Sequence, residues 1–155
     1  MRALRAVRCT LALAILSVLA GAAVPTLAAD GSPVGLWKNI DDASGKPTAL
    51  IRISDHNGVL QGKIERLFLP VEQDQNPLCV KCEGALKDQP IVGMVILAGL
   101  KKSGAAYSGG HILDPGNGTS YKSKLTLIDG GNKLDVRGYL GVPMLGRSQI
   151  WLREQ

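Results

Sequence analysis

Large aromatic side chains are scarce in this chain: two Trp, three Tyr and one Phe among 155 residues. A β-domain with few rings to plug its centre must rely on aliphatics, and that leaves room for a hollow interior. Histidine is limited to His56 and His111, and cysteine to Cys9, Cys79 and Cys82. The two histidines are far apart in sequence and in no knuckle spacing with Cys79-x-x-Cys82, so no zinc site is expected. There is no G-x-S-x-G elbow, and the adjacent carboxylates Asp41 and Asp42 fit no EF-hand loop. The sequence has no repeat of fixed period, no heptad pattern and no low-complexity segment.

The net charge of +5 is also less than it looks. Arg2, Arg5 and Arg8 precede the apolar run Cys9–Val24, which ends in small residues around Ala28 and Ala29. A basic start, an apolar middle and a small-residue exit describe a secretory signal peptide over residues 1–29, cleaved after Ala28 or Ala29. Without its three arginines the 18 basic residues become 15 against 13 acids, a net charge of +2. No basic stripe is left for nucleic acid. Cys9 goes with the leader, leaving Cys79 and Cys82. Two cysteines in an exported chain suggest one disulfide in an oxidising compartment, with the periplasm expected and release from the cell as the alternative. Residues 30–155 are enough for one domain. No stable membrane span is expected after cleavage, because Ile91–Leu100, the most apolar remaining run, is too short to cross a bilayer.

What fills those residues is alternation. Short runs of apolar and polar residues, separated by Gly, Asp, Asn and Pro clusters, predict strands over Val34–Ile40, Ala49–Ser54, Val59–Leu67, Ala106–Leu113, Thr119–Ile128, Lys133–Leu140 and Arg147–Arg153. Asn57-Gly58 between two such runs is a strong hairpin signal. Gly62 inside a strand suggests a bulge, a bend or close approach of another element. Ile91–Leu100 reads as a buried strand bent at Gly93, with a short buried helix as the alternative. The count is about eight strands in an all-β antiparallel meander, a number at which a sheet can close into a small barrel. Pro70–Pro90 is the one long irregular stretch, and loops of this length are usually functional or pinned.

Cys79-Val80-Lys81-Cys82 reads first as a structural disulfide pinning that loop. A redox pair would need a helix N-terminus beneath it, and Glu83 would oppose thiolate formation. Neither His111 nor Asp114 has a nucleophile beside it, and odd spacing on a strand puts them on opposite faces, so Asp114 is expected to cap the turn before Pro115-Gly116. No catalytic residue, metal ligand or cofactor is expected. Gly35-x-Trp37 near the first strand, with Arg147, Trp151 and Arg153 on the last, resembles the lipocalin signature. There the Trp closes one end of a barrel and an Arg stacks across it. The alternative is that Trp37 and Trp151 are ordinary core aromatics of a sandwich.

These residues also occur in a longer series: Gly62-Lys63-Ile64, Cys79-x-x-Cys82 with Gly84, Lys87-Asp88-x-Pro90-Ile91-x-Gly93, Gly109-Gly110-x-Ile112-Leu113-Asp114-Pro115, Gly118-x-x-Tyr121, Val136-Arg137-Gly138-Tyr139-Leu140-Gly141, and Gly146-Arg147. In that order they resemble the bacterial exported family known as domain of unknown function 2147. The resemblance implies a signal peptide, a lipocalin-like barrel and no established activity. Ser123 is a departure, because similar sequences often carry a cysteine close to that position. The expectation is therefore a non-enzymatic binder of a small apolar or amphipathic ligand. Pro70–Pro90 would be its lid, Ile91–Leu100 part of its lining, and Tyr107, Tyr121, Arg137 and Tyr139 its ligand contacts. An envelope protein-interaction module presenting Val142-Pro143-Met144-Leu145 is the alternative, and a thiol oxidoreductase acting through Cys79 and Cys82 is the third reading.

Overall fold

A computed structural model describes residues 31–154, so the expected leader and its cleavage positions lie outside the described residues. The strands are Gly35–Ile40 (β1), Pro47–His56 (β2), Val59–Leu67 (β3), Val95–Ser103 (β4), Ala106–Asp114 (β5), Thr119–Ile128 (β6), Lys133–Tyr139 (β7) and Arg147–Glu154 (β8). Each pairs antiparallel with the next, and β8 returns to β1 with Trp37 opposite Arg153 and Asn39 opposite Trp151, closing the barrel. Closure leaves no unpaired sheet edge.

The expected alternation is what allows this. Trp37, Ile51, Ile53, Leu60, Ile64, Leu125, Leu134, Val136 and Trp151 recur at inward positions and are buried, with polar partners between them facing water. Asn57 and Gly58 take the left-handed backbone that a tight hairpin requires, at φ of 57° and 82°. At Gly62 a Cβ would stand 2.9 Å from the Leu97 side chain, so the close approach here is between β3 and β4, where their register also shifts.

The fourth strand departs from expectation. It starts at Val95, not Ile91, and continues to Ser103. Gly93 is at φ 91°, outside the strand region, and the chain is still turning there: Met94 donates to the Ile91 carbonyl and Gly93 to that of Ile64. The expected strand thus loses its first four residues to a turn that docks on β3, and the helical alternative does not occur.

Successive strands run between the same two ends. One end carries residues 31–34 and the tight turns at 57–58, 104–105 and 129–132. The other carries the turn at 41–46, the long segment 68–94, the turn at 115–118 and the connection 140–146. The first end is solid. Ile53, Leu60, Leu97, Leu100, Leu125 and Leu134 fill it, and none is more than 1% exposed. Ser123 is as buried as these, and its hydroxyl has no partner among the described residues. An unmet buried hydroxyl is costly, so Ser123→Ala is expected to raise stability by about 1 kcal/mol. Thermal denaturation checks this, and a lower melting temperature in the variant would contradict it.

Candidate functional site

The packing stops short of the second end. There the barrel encloses a cavity of about 730 Å³, reached between the loops. Its far wall is aliphatic: Ala49 and Ile51 from β2, Ile64 and Leu67 from β3, and Ile96 from β4. Ile112, Leu113 and Val136 continue that surface on β5 and β7. The floor is Trp151, which is fully buried. Polar groups gather on one side, with Asn39 on β1, Gln149 on β8, and Tyr121 and Tyr139 toward the rim. Asn117 donates from Nδ2 to the Tyr121 hydroxyl at 3.0 Å, tying that ring to the β5–β6 turn.

The segment Pro70–Pro90 lies at this rim. Cys79 and Cys82 are bonded to each other and buried, and Cys79 donates to the Gln89 carbonyl while Asp88 donates back to that of Cys79. An isolated bridge between Leu78 and Pro90 closes the base of the loop, and Pro77 and Ile91 just beside it face the cavity. The loop rests on the β5–β6 turn: the Cys79 sulfur is 3.5 Å from the Pro115 carbonyl, and Gly118 touches the Lys81 carbonyl. Asp114 caps that turn by accepting from Gly116 N–H at 2.8 Å. His111 is exposed on β5, opposite Lys122 and Ala98.

The four proposed ligand contacts fall in different places. Tyr121 and Tyr139 belong to the cavity wall. Tyr107, at the start of β5, belongs to the other half of the barrel, where it packs half-buried against the core. Arg137 follows inward-facing Val136, and its guanidinium holds the β7–β8 connection. It donates to the Pro143 carbonyl at 2.6 Å, the Ser148 hydroxyl at 3.0 Å and the Met144 carbonyl at 3.4 Å. Asn39 and Gln149 were not singled out from the sequence. A signal for them exists: each is two residues from an inward-facing Trp, so each is a polar side chain at an inward position.

The five residues considered for closure divide between the two ends. At the solid end Arg153 stacks on Trp37, 4.3 Å from its ring centroid. Arg153 also donates to the carbonyls of Gly131 at 2.7 Å, Val34 at 3.0 Å and Ser32 at 2.8 Å. Gly35 makes room for it, since a Cβ there would be 2.9 Å from a guanidinium nitrogen. Arg147 stands instead at the cavity rim, donating to Asp42 at 2.8 Å across the mouth of the β1–β2 turn. Asp42 chiefly, with Asp41 and Asp114 farther off, holds that guanidinium in its charged form. Asp41 accepts from both the Ser44 hydroxyl and its N–H, which keep its carboxyl below the usual range. Among the described residues no group of three or more His, Cys, Asp or Glu could hold a metal ion. None of their helices is long and apolar enough to cross a membrane.

The chain belongs to the family described as "Uncharacterized protein conserved in bacteria" (DUF2147), whose family model matches residues 35–153. Among solved structures it is similar to "Protein HP1028 from the human pathogen Helicobacter pylori belongs to the lipocalin family". That similarity has a TM-score of 0.67 and 18% identity, over 80% of this chain and 84% of the other. At that identity the likeness shows the fold: an eight-stranded lipocalin-like barrel. No curated protein matches.

Proposed function

We propose that this member of the family is a non-enzymatic binder of a small apolar or amphipathic molecule, exported to the periplasm. The observation that carries the reading is the half-hollow barrel: a cavity of about 730 Å³, aliphatic on its far wall and closed at the opposite end by Trp37 and Arg153. That volume lies within the usual range for small-molecule sites, which runs from roughly 300 to 1,000 Å³ and favours apolar walls with few polar groups. The bonded Cys79–Cys82 loop on its rim serves as a restrained entrance, and the basic and apolar leader of residues 1–29 supports export. The test is thermal denaturation of the purified protein against fatty acids, lipids and quinones. A ligand at 100 times its Kd adds about 2.7 kcal/mol, so binders are expected to raise the melting temperature by several degrees. If no compound raises it, the binder reading fails.

A second reading is favoured by one observation. Leu140, Val142, Met144 and Leu145 are 61%, 54%, 87% and 81% exposed on the β7–β8 connection, an apolar surface fit for a protein partner of the cell envelope. In that case a stoichiometric partner would be captured from periplasmic extract and lost on Met144→Asp, with no compound of the panel shifting the melt.

A further inference from the structure

The interior of the cavity carries no formal charge. Its two ionised wall residues, Asp114 and Arg147, are the last residue of β5 and the first of β8, both at the rim and both engaged, with Gly116 N–H and with Asp42. Deeper in, the polar groups are neutral. Asn39 and Gln149 come from the paired strands β1 and β8, and Asn39 stands opposite Trp151 in the register.

These groups have hydrogen-bonding capacity left over. Asn39 Nδ2 approaches Gln149 Oε1 at 3.5 Å, the outer limit of a bond. Asn39 Oδ1 and Trp151 Nε1 are buried and have no partner among the described residues, and Trp151 is 0% exposed. Buried polar groups are ordinarily satisfied, and each one left unmet costs about 1–3 kcal/mol. Here a donor and an acceptor are unmet on neighbouring strands, in two residues that both line the cavity. The Asn39 amide turns about a soft torsion, so either of its ends can be brought to the cavity side.

From this the geometry points to a ligand class: an amphiphile whose polar group is uncharged and both donates and accepts, a hydroxyl or a carboxamide. That group is held at Asn39, Gln149 and Trp151, with the aliphatic body against Ile51, Ile64 and Ile96. The inference rests on the binder reading above and sharpens it. Both atoms are covered as they stand; once the Asn39 amide turns toward the cavity, a hydroxyl accepts from the Trp151 N–H and donates to the Asn39 carbonyl oxygen. A carboxylate at the same depth meets no cation, and an unpaired buried charge is far costlier than an unpaired dipole.

The experiment uses four probes on the purified protein at about pH 8, where a fatty carboxyl is ionised. Nile red, a neutral apolar dye, reports occupancy of the cavity. Dodecanol, dodecanamide and dodecanoate then compete for it with chains of equal length. Dodecanol and dodecanamide are expected to displace the dye at least about tenfold more tightly than dodecanoate. In the double variant N39L/Q149L, confirmed as folded by its melt, that preference disappears through weaker dodecanol binding with dodecanoate unchanged. Trp151→Phe keeps the ring and removes the N–H, and it weakens dodecanol by about threefold. Dodecanoate binding as tightly as dodecanol, or a double variant that weakens all three equally, overturns the inference while leaving the binder reading standing. Failure of Nile red and every competitor to bind removes both.

Discussion

Trp37→Ala is expected to lower stability by about 3–5 kcal/mol and the melting temperature by more than about 10 °C. The ring is fully buried at the solid end of the barrel, and its indole N–H donates to the Pro33 carbonyl at 2.7 Å. Above it the Arg153 guanidinium bonds three carbonyls, from Ser32, Val34 and Gly131. Those carbonyls belong to the segment before β1 and the β6–β7 turn, so one stacked pair ties both to β1 and β8. Alanine removes the ring's apolar burial, orphans the Pro33 carbonyl and leaves the guanidinium without the face it covers. Trp37→Phe keeps most of the packing and should cost about half as much or less, since it gives up one hydrogen bond and part of the ring. Thermal and denaturant melts read both variants. A Trp37→Ala protein melting within two or three degrees of the parent, a margin far below the expected shift, would show that the closed end does not depend on this stack.

The other large effect is expected at the opposite end, from one methyl group. A Cβ on Gly118 would stand 1.9 Å from the Lys81 carbonyl oxygen and 2.4 Å from its carbon, with the backbone at φ 77°. Both obstacles are main chain, inside a loop closed by the Cys79–Cys82 bond, so neither can swing aside as a side chain would. Gly118→Ala must lift the loop from the β5–β6 turn or shift that turn, at a cost of about 2–4 kcal/mol from overpacking and left-handed backbone together. Gly58→Ala is the control, because it has a similar φ of 82° and no atom within 4 Å of the added carbon. It should show the backbone term alone, about 1 kcal/mol. Limited proteolysis adds a local readout: cleavage within residues 70–90 is expected to accelerate in Gly118→Ala and not in Gly58→Ala. Equal behaviour of the two would refute the close contact.

Much of the barrel is legible in the sequence because side-chain alternation and turn chemistry are local. Lys133–Tyr139 alternates strictly and is a strand, and Asn57-Gly58 makes the hairpin its residues specify. The start of β4 was not legible. Ile91 through Leu100 is apolar throughout, so its pattern does not mark where pairing begins; the turn at Gly93 and its docking on Ile64 decide that. The cavity depends on a quantity that alternation does not carry, namely position along the barrel axis. Tyr107 and Tyr121 both sit on strands, but Tyr107 is near the solid end and Tyr121 near the hollow one. Arg137 is separated from the cavity by parity, next to inward-facing Val136, and it serves the 143–144 backbone. Asn39 and Gln149 were hidden for a different reason. Each looks like an ordinary polar strand residue until Trp37 and Trp151 are known to point inward.

The pairing of β1 with β8 also governs when the molecule can form. Leu36 meets Glu154, so the first strand waits for the eighth before the ring of strands is complete. Every other pairing joins neighbours in sequence, and all but β3 with β4, which the long segment 68–94 separates, can form as a hairpin. The entropy of bringing the two ends together therefore falls on a single late event, and chains with such long-range contacts fold slowly, on a scale of milliseconds to seconds. The Arg153–Trp37 stack lies on that seam, so its energy is gained only once the ring is shut. Until then β1 and β8 each expose a bare edge, and the chain remains an open ribbon of strands with two sides free to pair.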